Sequence, residues 1–327
     1  MQQILVAGET LVDFIPEEPG PLDEVETFHR RAGGAPANVA VGLARLGRPP
    51  AFWTRVGTDP FGDFLADALA DAGVPTEHVE RDPDAKTGLA FVSLDPDADR
   101  AFSFHRDGSA DTRMEPGGVD GAALADTDWV HAGGVTLADE PARTATLDLL
   151  ARAREADATV SFDPNARPEL WTDFDFPGSC REAFALADVV KVSPEDLDAA
   201  GYDGAAVDES DPASATEVAA AVAADGPHTV LVTLGGAGAF AYATPDAPWN
   251  DGDEPLAVDH GGYDAEPVDT TGAGDAFTAG AVAALSAGES LAEALAFANA
   301  VAARTTTEKG AMTALPDRDA VAALRGE

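Results

Sequence analysis

Short apolar runs alternate with helix-spaced runs along most of this 327-residue chain, and that alternation narrows its folds more than any other feature. ILVAGE (4–9) reads as a first buried strand, and ANVAVGLARLG (37–47) has helical spacing with a glycine stop at Gly47. PAFWTRVG (50–57) reads as a strand, and FGDFLADALADAG (61–73) as an amphipathic helix that ends in glycine. DWVHAGG (128–134), TVSFDPN (159–165), ADVVKVS (187–193) and TVLVTLG (229–235) are four further strand candidates, with helical runs near 141–156, 179–187 and 214–224 between them. This order predicts the α/β class, with a mainly parallel sheet and helices on both faces.

Two stretches break the pattern. VETFHRRAGG (25–34) and TGLAFVSLDPDADRAFSFHR (87–106) alternate in the manner of antiparallel strands, and Asp-Pro-Asp-Ala-Asp (95–99) marks a turn in the second. Both are expected in a small sheet apart from the core, acting as a lid over a site or simply as surface hairpins. The stretches 202–214 and 244–255 read as solvated loops.

The hydrophobic fraction of 45% is enough for a sizeable core, against a net charge of −39 from 59 acids and 20 bases. The lysines are Lys86, Lys191 and Lys309, and the other bases are arginine. An apolar fraction this large with regular patterning argues against a disordered acidic chain. The expectation is a folded protein with an acidic surface, as in proteins from salt-rich cytoplasm, where salt screens self-repulsion. Clustered Lys and Arg are missing, so non-specific nucleic-acid binding is not expected. A lone cysteine, Cys180, rules out an intrachain disulfide or cysteine-based metal cluster, and it reads as a small residue packed in a helix. The histidines lack metal-ligand spacing: His29 and His105 fall in the lid candidates and His131 at a strand end. Trp53, Trp129 and Trp171 are expected in the core or near the sheet edge. The N-terminus reads as a strand rather than a signal peptide, and no apolar stretch has membrane-spanning length, so a soluble cytoplasmic protein is expected.

The segment VDTTGAGDAFTAG (268–280) carries the chemistry. Two short glycine steps end in Asp275, and a small apolar run follows at once, which is a turn feeding a helix. A helix start offers unpaired N–H groups and a positive dipole end that hold an anion such as phosphate. Gly272 and Gly274 let the backbone come close to that anion. A carboxylate beside a phosphate site is electrostatically odd, unless it takes a proton from an incoming hydroxyl while the amides hold the transferred group. The segment therefore points to phosphoryl transfer to an alcohol, with an ordinary N-capping acid as the bland alternative.

Taken together, GGAPANVAVGLARLG (33–47) and DTTGAGDAFTAG (269–280) resemble the two signatures of the ribokinase-like (PfkB) family of carbohydrate kinases, in the right order and with similarity along nearly the whole chain. GETLVDFIP (8–16), FHRDGSAD (104–111), SFDPNARPELW (161–171) and KVSPEDL (191–197) are similar to segments of fructokinases in that family. The resemblance implies one kinase domain over 1–327 with a Rossmann-like core. It also implies a β-sheet lid, its strands within about 14–33 and 87–106, that often serves as a dimer interface. It implies Asp275 as the catalytic base, with the N–H groups of Gly272, Ala273 and Gly274 on the developing charge. Asp13, placed after the first strand, and Gly33, Gly34 and Asn38 would bind the sugar. Arg106 and Arg167 would reach the substrate or its phosphate, or else serve in surface ion pairs. For the nucleotide, Lys191, Ser193, Thr233, Gly235, Gly238 and Asn299 match the family's positions. Ser193 and Asp196 stand where relatives often carry Asn-x-x-Glu near the Mg²⁺ waters, a departure that leaves Asp196 an uncertain metal contact. Mg²⁺ is expected to ride largely on ATP phosphates and water. TTTEKGAMTALP (305–316) resembles a region that binds a monovalent cation in some relatives, which adds K⁺.

The resulting expectation is ATP-dependent phosphorylation of a sugar, fructose first. A 2-keto-3-deoxygluconate kinase is the runner-up. PGPLDEVETF (19–28), FHRDGSA and GGVTLAD (133–139) also resemble those enzymes, although residues 103–105 read Ser-Phe-His where assisting tyrosines often stand. A dinucleotide-dependent oxidoreductase is disfavoured because AGET follows the first strand without a G-x-G-x-x-G. A non-catalytic sugar sensor fits the fold but leaves Asp275 and its glycine turn without a purpose.

Overall fold

The computed structural model describes residues 3–18, 20–94, 100–172 and 174–327. The first half holds β1 (Ile4–Ala7), β2 (Leu11–Pro16), β3 (Phe28–Gly33), α1 (Ala35–Arg45), β4 (Ala51–Gly57), α2 (Pro60–Asp71), β5 (Val79–Asp82), β6 (Leu89–Leu94), β7 (Arg100–His105), α3 (Gly121–Ala125), β8 (Trp129–Gly133), α4 (Ala142–Glu155) and β9 (Thr159–Asp163). The second holds α5 (Phe176–Phe184), β10 (Val189–Val192), α6 (Pro194–Ala199), α7 (Ala215–Ala223), β11 (Thr229–Thr233), β12 (Ala239–Ala243), β13 (Leu256–His260), α8 (Ala273–Leu285), α9 (Leu291–Thr306), α10 (Ala311–Ala314) and α11 (Arg318–Arg325).

A nine-stranded sheet runs in the order β13-β12-β11-β10-β9-β8-β1-β4-β5, parallel from β10–β11 across to β4–β5 and antiparallel at β11–β12 and β12–β13. β1 shows why its strands read as unbroken apolar runs. Successive side chains of a strand face opposite sides. Ile4 and Val6 enter one core with α1, α8 and α9, while Leu5 and Ala7 enter the other with α4, α5 and α7. Both faces are covered, so neither set of positions tolerates polarity. Cys180 and Trp53 are fully buried in the second core and Trp129 in the first, whereas Trp171 lies half-buried against Phe176.

The capping pattern sorts the helices. α2, α3, α5, α6, α9 and α11 each start on an Asp or Ser whose side chain accepts a first-turn N–H. α1 and α8 start instead on Gly34 and Gly272, with no side-chain cap. Those two N-termini meet each other through the Asn38–Asp275 hydrogen bond. A Cβ on Gly42 of α1 would sit 2.7 Å from the Ala279 Cβ of α8, so only glycine there lets the two helices approach this closely.

The two alternating stretches join in one four-stranded sheet of order β3-β2-β6-β7, with β2 antiparallel to β3 and parallel to β6. Val12, Phe14 and Ala32 on one face pack against Phe61, Phe64 and Leu65 of α2. The sheet begins at Leu11 rather than near 14, so Asp13 lies inside it, opposite Arg31, and not in a turn after the first strand. The expected turn at 95–99 lies outside the described residues. Five elements carry little sequence signal of their own. β5 is four residues long, β12 and β13 flank the exposed 244–255 loop, and the 202–214 loop holds two short 3₁₀ turns.

Candidate active site

The site lies at the carboxyl ends of the parallel strands. β1 is flanked there by β8, which leads to one half of the sheet, and β4, which leads to the other; such switch points are where ligand crevices open. Two cavities meet at the start of α8. A tight cleft of about 100 Å³ is walled by Glu9, Asp13, Asn38, Asn165, Arg167 and Asp275, with Phe102 and Phe104 of β7 over it. On the other side, a cavity of about 390 Å³ is lined by Gly235, Gly236, Tyr263, Ala273, Asn299 and Thr306. Thr271 and Gly272 face the first cavity, and Thr270 and Ala273 the second.

Gly272 has φ 77°, and a Cβ there would strike the Ala311 Cβ at 2.7 Å, so the turn into α8 requires glycine. Ala273 N–H is spent on Thr270 O at 3.2 Å. Of the three N–H groups the resemblance implied, Ala273 is the one bonded within the turn; Gly272 and Gly274 flank it, and Asp275 follows in the first turn. Asp275 lies in the first turn and is 9% exposed. Asn38 Nδ2 of α1 donates to its Oδ2 at 2.7 Å. Burial raises the Asp275 carboxyl above the usual range; the Asn38 hydrogen bond and the charges of Lys191 and Arg167 pull it back.

Asp13 reaches the same cleft from β2, and Gly33 makes room for it, since a Cβ at Gly33 would lie 2.0 Å from Asp13 Oδ2. Burial and the neighbouring Asp275 push the Asp13 carboxyl up to about 7, with Arg167 opposing. Gly34, at φ 104°, lets the chain pass 2.6 Å from Glu9 O as measured from its absent Cβ. Arg167 donates to its own neighbour's carbonyl, Ala166 O, at 2.8 Å and stacks its guanidinium 5.5 Å from the Phe102 ring centre. It thus connects the acid pair with the small sheet.

Arg106 is placed otherwise than expected. It is 3% exposed and clamps the buried Asp111 through Nε at 2.7 Å and Nη2 at 2.6 Å, with Asp139 3.6 Å from Nη1. It lines neither cavity and is no surface pair: it anchors the end of β7 to the core. Lys191 is likewise buried, 3.2 Å from Asp163 and 3.9 Å from Asp196. Burial works against its charge, but Asp163, Asp196 and Asp275 outweigh burial and raise it. Its Nζ lies 3.3 Å from where a Gly274 Cβ would be, so it sits beside the helix-start donors as a fixed positive charge. Asp163 is pushed up to about 6 by burial, which Lys191 opposes.

Ser193 and Asp196 form the capping box of α6: Asp196 N–H donates to Ser193 Oγ at 3.2 Å, and Ser193 N–H to Asp196 Oδ2 at 2.9 Å. Asp196 Oδ1 takes Ala166 N–H at 2.8 Å. Each Asp196 oxygen thus accepts one backbone N–H, which fixes the carboxylate at the start of α6. Among the described residues no group of three or more His, Cys, Asp or Glu is placed to hold an ion. Gly235 and Asn299 line the larger cavity, and Asn299 Nδ2 donates to Leu295 O at 2.9 Å. Thr233 and Gly238 do not line it. Thr233 Oγ1 bonds Val192 O at 3.3 Å, and Gly238, at φ 92°, is glycine because a Cβ would meet His260 O at 1.9 Å. The 305–316 segment is tied to the turn before α8 by Asp269, whose Oδ2 accepts Gly310 N–H at 2.9 Å. His131 is a core residue held 3.0 Å from Ser161 Oγ, kept neutral by burial down to about 3.

Residues 1–318 match the model of the pfkB family of carbohydrate kinases. The chain belongs to that family. This carbohydrate kinase is 38% identical to a fructokinase of Vibrio alginolyticus over 323 residues, covering 97% of this chain and 96% of the relative. It superposes on the fructokinase of Xylella fastidiosa, solved with bound ATP, with a TM-score of 0.85, 32% identity and 99% of each chain covered. A double mutant of the Vibrio cholerae O395 fructokinase, solved with fructose, ADP and potassium, matches with a TM-score of 0.81, 34% identity and coverage of 99% and 98%.

The sequence missed Glu9, Asn165 and the Phe102–Phe104 pair as walls of the kinase's smaller cleft. The period-2 alternation of β7 puts both phenylalanines on one face, so that signal was present; for Glu9 it was only the polar residue ending an apolar strand.

Proposed function

We propose that this carbohydrate kinase is an ATP-dependent fructokinase. The observation that carries the reading is the placement of Asp275: a buried carboxylate, held by Asn38, at the helix start between a sugar-sized cleft and a larger cavity. Fructose occupies the small cleft, with Asp13, Gly33, Gly34, Asn38 and Arg167 around it. ATP occupies the larger cavity, with its adenine near Asn299 and its phosphates toward the turn at Gly272–Gly274. Asp275 accepts the hydroxyl proton as that oxygen attacks the γ-phosphate. The first-turn N–H groups of α8 and the nearby charges of Lys191 and Arg167 stabilise the transferring group, which is where most of the rate in phosphoryl transfer arises.

Mg²⁺ enters on the ATP phosphates, consistent with the lack of a carboxylate cluster among the described residues. K⁺ is assigned to the 305–316 segment, whose tie to Asp269 lets a bound cation act on the catalytic turn. The chain is read as one domain over 1–327 in a cytoplasmic setting, with the four-stranded sheet as a lid and as the face of a homodimer. No helix among the described residues is long and apolar enough to cross a membrane.

The test is ATP consumption at high salt against a panel of sugars, with the phosphorylated position read by NMR. Fructose as the best acceptor supports the proposal. Turnover of 2-keto-3-deoxygluconate alone replaces it with the runner-up, in which Arg167 takes the carboxylate.

A further inference from the structure

Two acceptor atoms of residues lining the small cleft are buried and unpaired. Glu9 follows β1 and is 2% exposed; its Oε1 accepts Ala35 N–H at 3.1 Å, which fixes the side chain and leaves Oε2 without a partner. Asn165 follows β9, where φ 44° turns the chain and its own N–H donates to Asp163 Oδ1 at 3.0 Å; its Oδ1 has no partner. Among the described residues, the unpaired buried carboxylate and amide oxygens are Glu9 Oε2, Asn38 Oδ1, Asn165 Oδ1 and Asp82 Oδ2. Asp82 Oδ2 stands within ion-pair distance of Arg55 and Arg113, at 3.6 and 3.2 Å, and the other three all line this one cleft, where the Arg106 charge acts on Glu9 without being among the ion pairs.

Folded proteins leave few such atoms unsatisfied, and each one calls for a missing partner. Of the groups lining the cleft, Phe102, Phe104 and Val135 have no side-chain donor, and Asn38 Nδ2, Thr271 Oγ1 and Arg167 Nη1 donate to Asp275, Asp269 and Ala166 O. Carboxylate and amide oxygens only accept, so the missing partner must donate. A polyol presents O–H donors on successive carbons; a carboxylate presents acceptors and is repelled by Glu9.

We propose that Glu9 Oε2 and Asn165 Oδ1 accept hydroxyl groups of the acceptor sugar, so that the cleft selects a neutral polyol by acceptors additional to Asp13 and Asn38. The proposal rests on the reading that this cleft holds the sugar. Burial raises the Glu9 carboxyl to about 7 against the opposing Arg106 charge, and a hydroxyl that donates to it favours the charged form.

The experiment measures kcat/KM for fructose and its monodeoxy analogues with the parent, Glu9→Gln and Asn165→Gly. Glutamine keeps an oxygen for Ala35 N–H and replaces the free one with a donor; glycine suits the positive φ at 165. In the parent, the analogue lacking the hydroxyl read by Glu9 is expected to lose roughly 10- to 150-fold, the worth of a hydrogen bond to a charged group. In Glu9→Gln that penalty collapses while the other analogues keep theirs, and Asn165→Gly erases a smaller penalty at a different carbon. Variants that slow every analogue by the same factor, or leave every penalty unchanged, overturn the proposal. Should Glu9→Gln fail to fold by circular dichroism, the Asn165→Gly series decides by the same criterion. A parent inactive on fructose counts against the fructokinase reading alone, because the same series is then run on whichever sugar the panel identifies.

Discussion

Replacing Asn38 by leucine isolates the contact that holds Asp275, the proposed catalytic acid. Leucine has nearly the shape of asparagine but no donor, so Asn38→Leu removes the 2.7 Å hydrogen bond to Asp275 Oδ2 and little packing. The bond is buried, with Asn38 5% and Asp275 9% exposed, so water does not readily replace it. Hydrogen bonds to charged groups contribute ~1.5–3 kcal/mol. If that interaction serves the ionised base, its loss lowers kcat/KM by roughly 10- to 150-fold. The bond also favours the charged form of Asp275, so without it burial acts less opposed and the carboxyl shifts further up. The acid limb of the kcat/KM profile then moves to higher pH, an effect that a loss of folded protein does not produce. The assay is coupled ATP turnover at high salt from pH 5 to 9, with circular dichroism confirming the fold. An unmoved acid limb with kcat/KM within a few-fold of the parent refutes the reasoning that Asn38 tunes and aims the base.

Three further outcomes follow from the same physics. With a net charge of −39, the chain is expected to lose structure as salt is withdrawn, because screening of its self-repulsion falls away; a melting temperature in salt-free buffer equal to that in molar salt contradicts this. Asp13 and Glu9 have folded-state values near 7 against ordinary values of 3.8 and 4.5, so the folded state holds extra protons in that window and sugar-free stability falls as pH rises through about 7. His131 opposes this mainly below its ordinary value of 6.5, so the denaturation midpoint is compared between pH 6 and pH 8, and a midpoint that rises over that interval is the failing result. Gly238→Ala places a Cβ 1.9 Å from His260 O at φ 92°, and a cost above ~1 kcal/mol is expected in urea unfolding; an unchanged midpoint means the β12 entry is not as rigid as described.

Legibility followed how local each signal is. The buried parallel strands were readable because helices cover both faces, which makes β1 apolar throughout, β8 and β10 apolar apart from His131 and Lys191, and β11 apolar between its terminal threonines. The turn before α8 was readable because two glycines and an acid must be contiguous to make it. β5 and the β12–β13 edge were not, being short or half-exposed, with their pairing set by partners distant in sequence. The same limit applied to the site. Arg106 and Arg167 look alike in sequence, yet Asp111 captures the first while the second faces the acids at the cleft. Ser193 and Asp196 carried the spacing of a capping box, S-x-x-D, and that local reading accounts for both. The role of Glu9 depends on Ala35, 26 residues on, and becomes visible only once β1 and α1 are placed together.

The central claim is that Asp275 removes the hydroxyl proton while the start of α8 holds the moving phosphoryl group. Single-turnover transfer from γ-labelled ATP to fructose by Asp275→Asn, with ATP affinity measured alongside, tests it most directly. Transfer slowed at least ~10²–10⁴-fold with nucleotide binding retained is the expected outcome. Transfer at the parent's rate contradicts it.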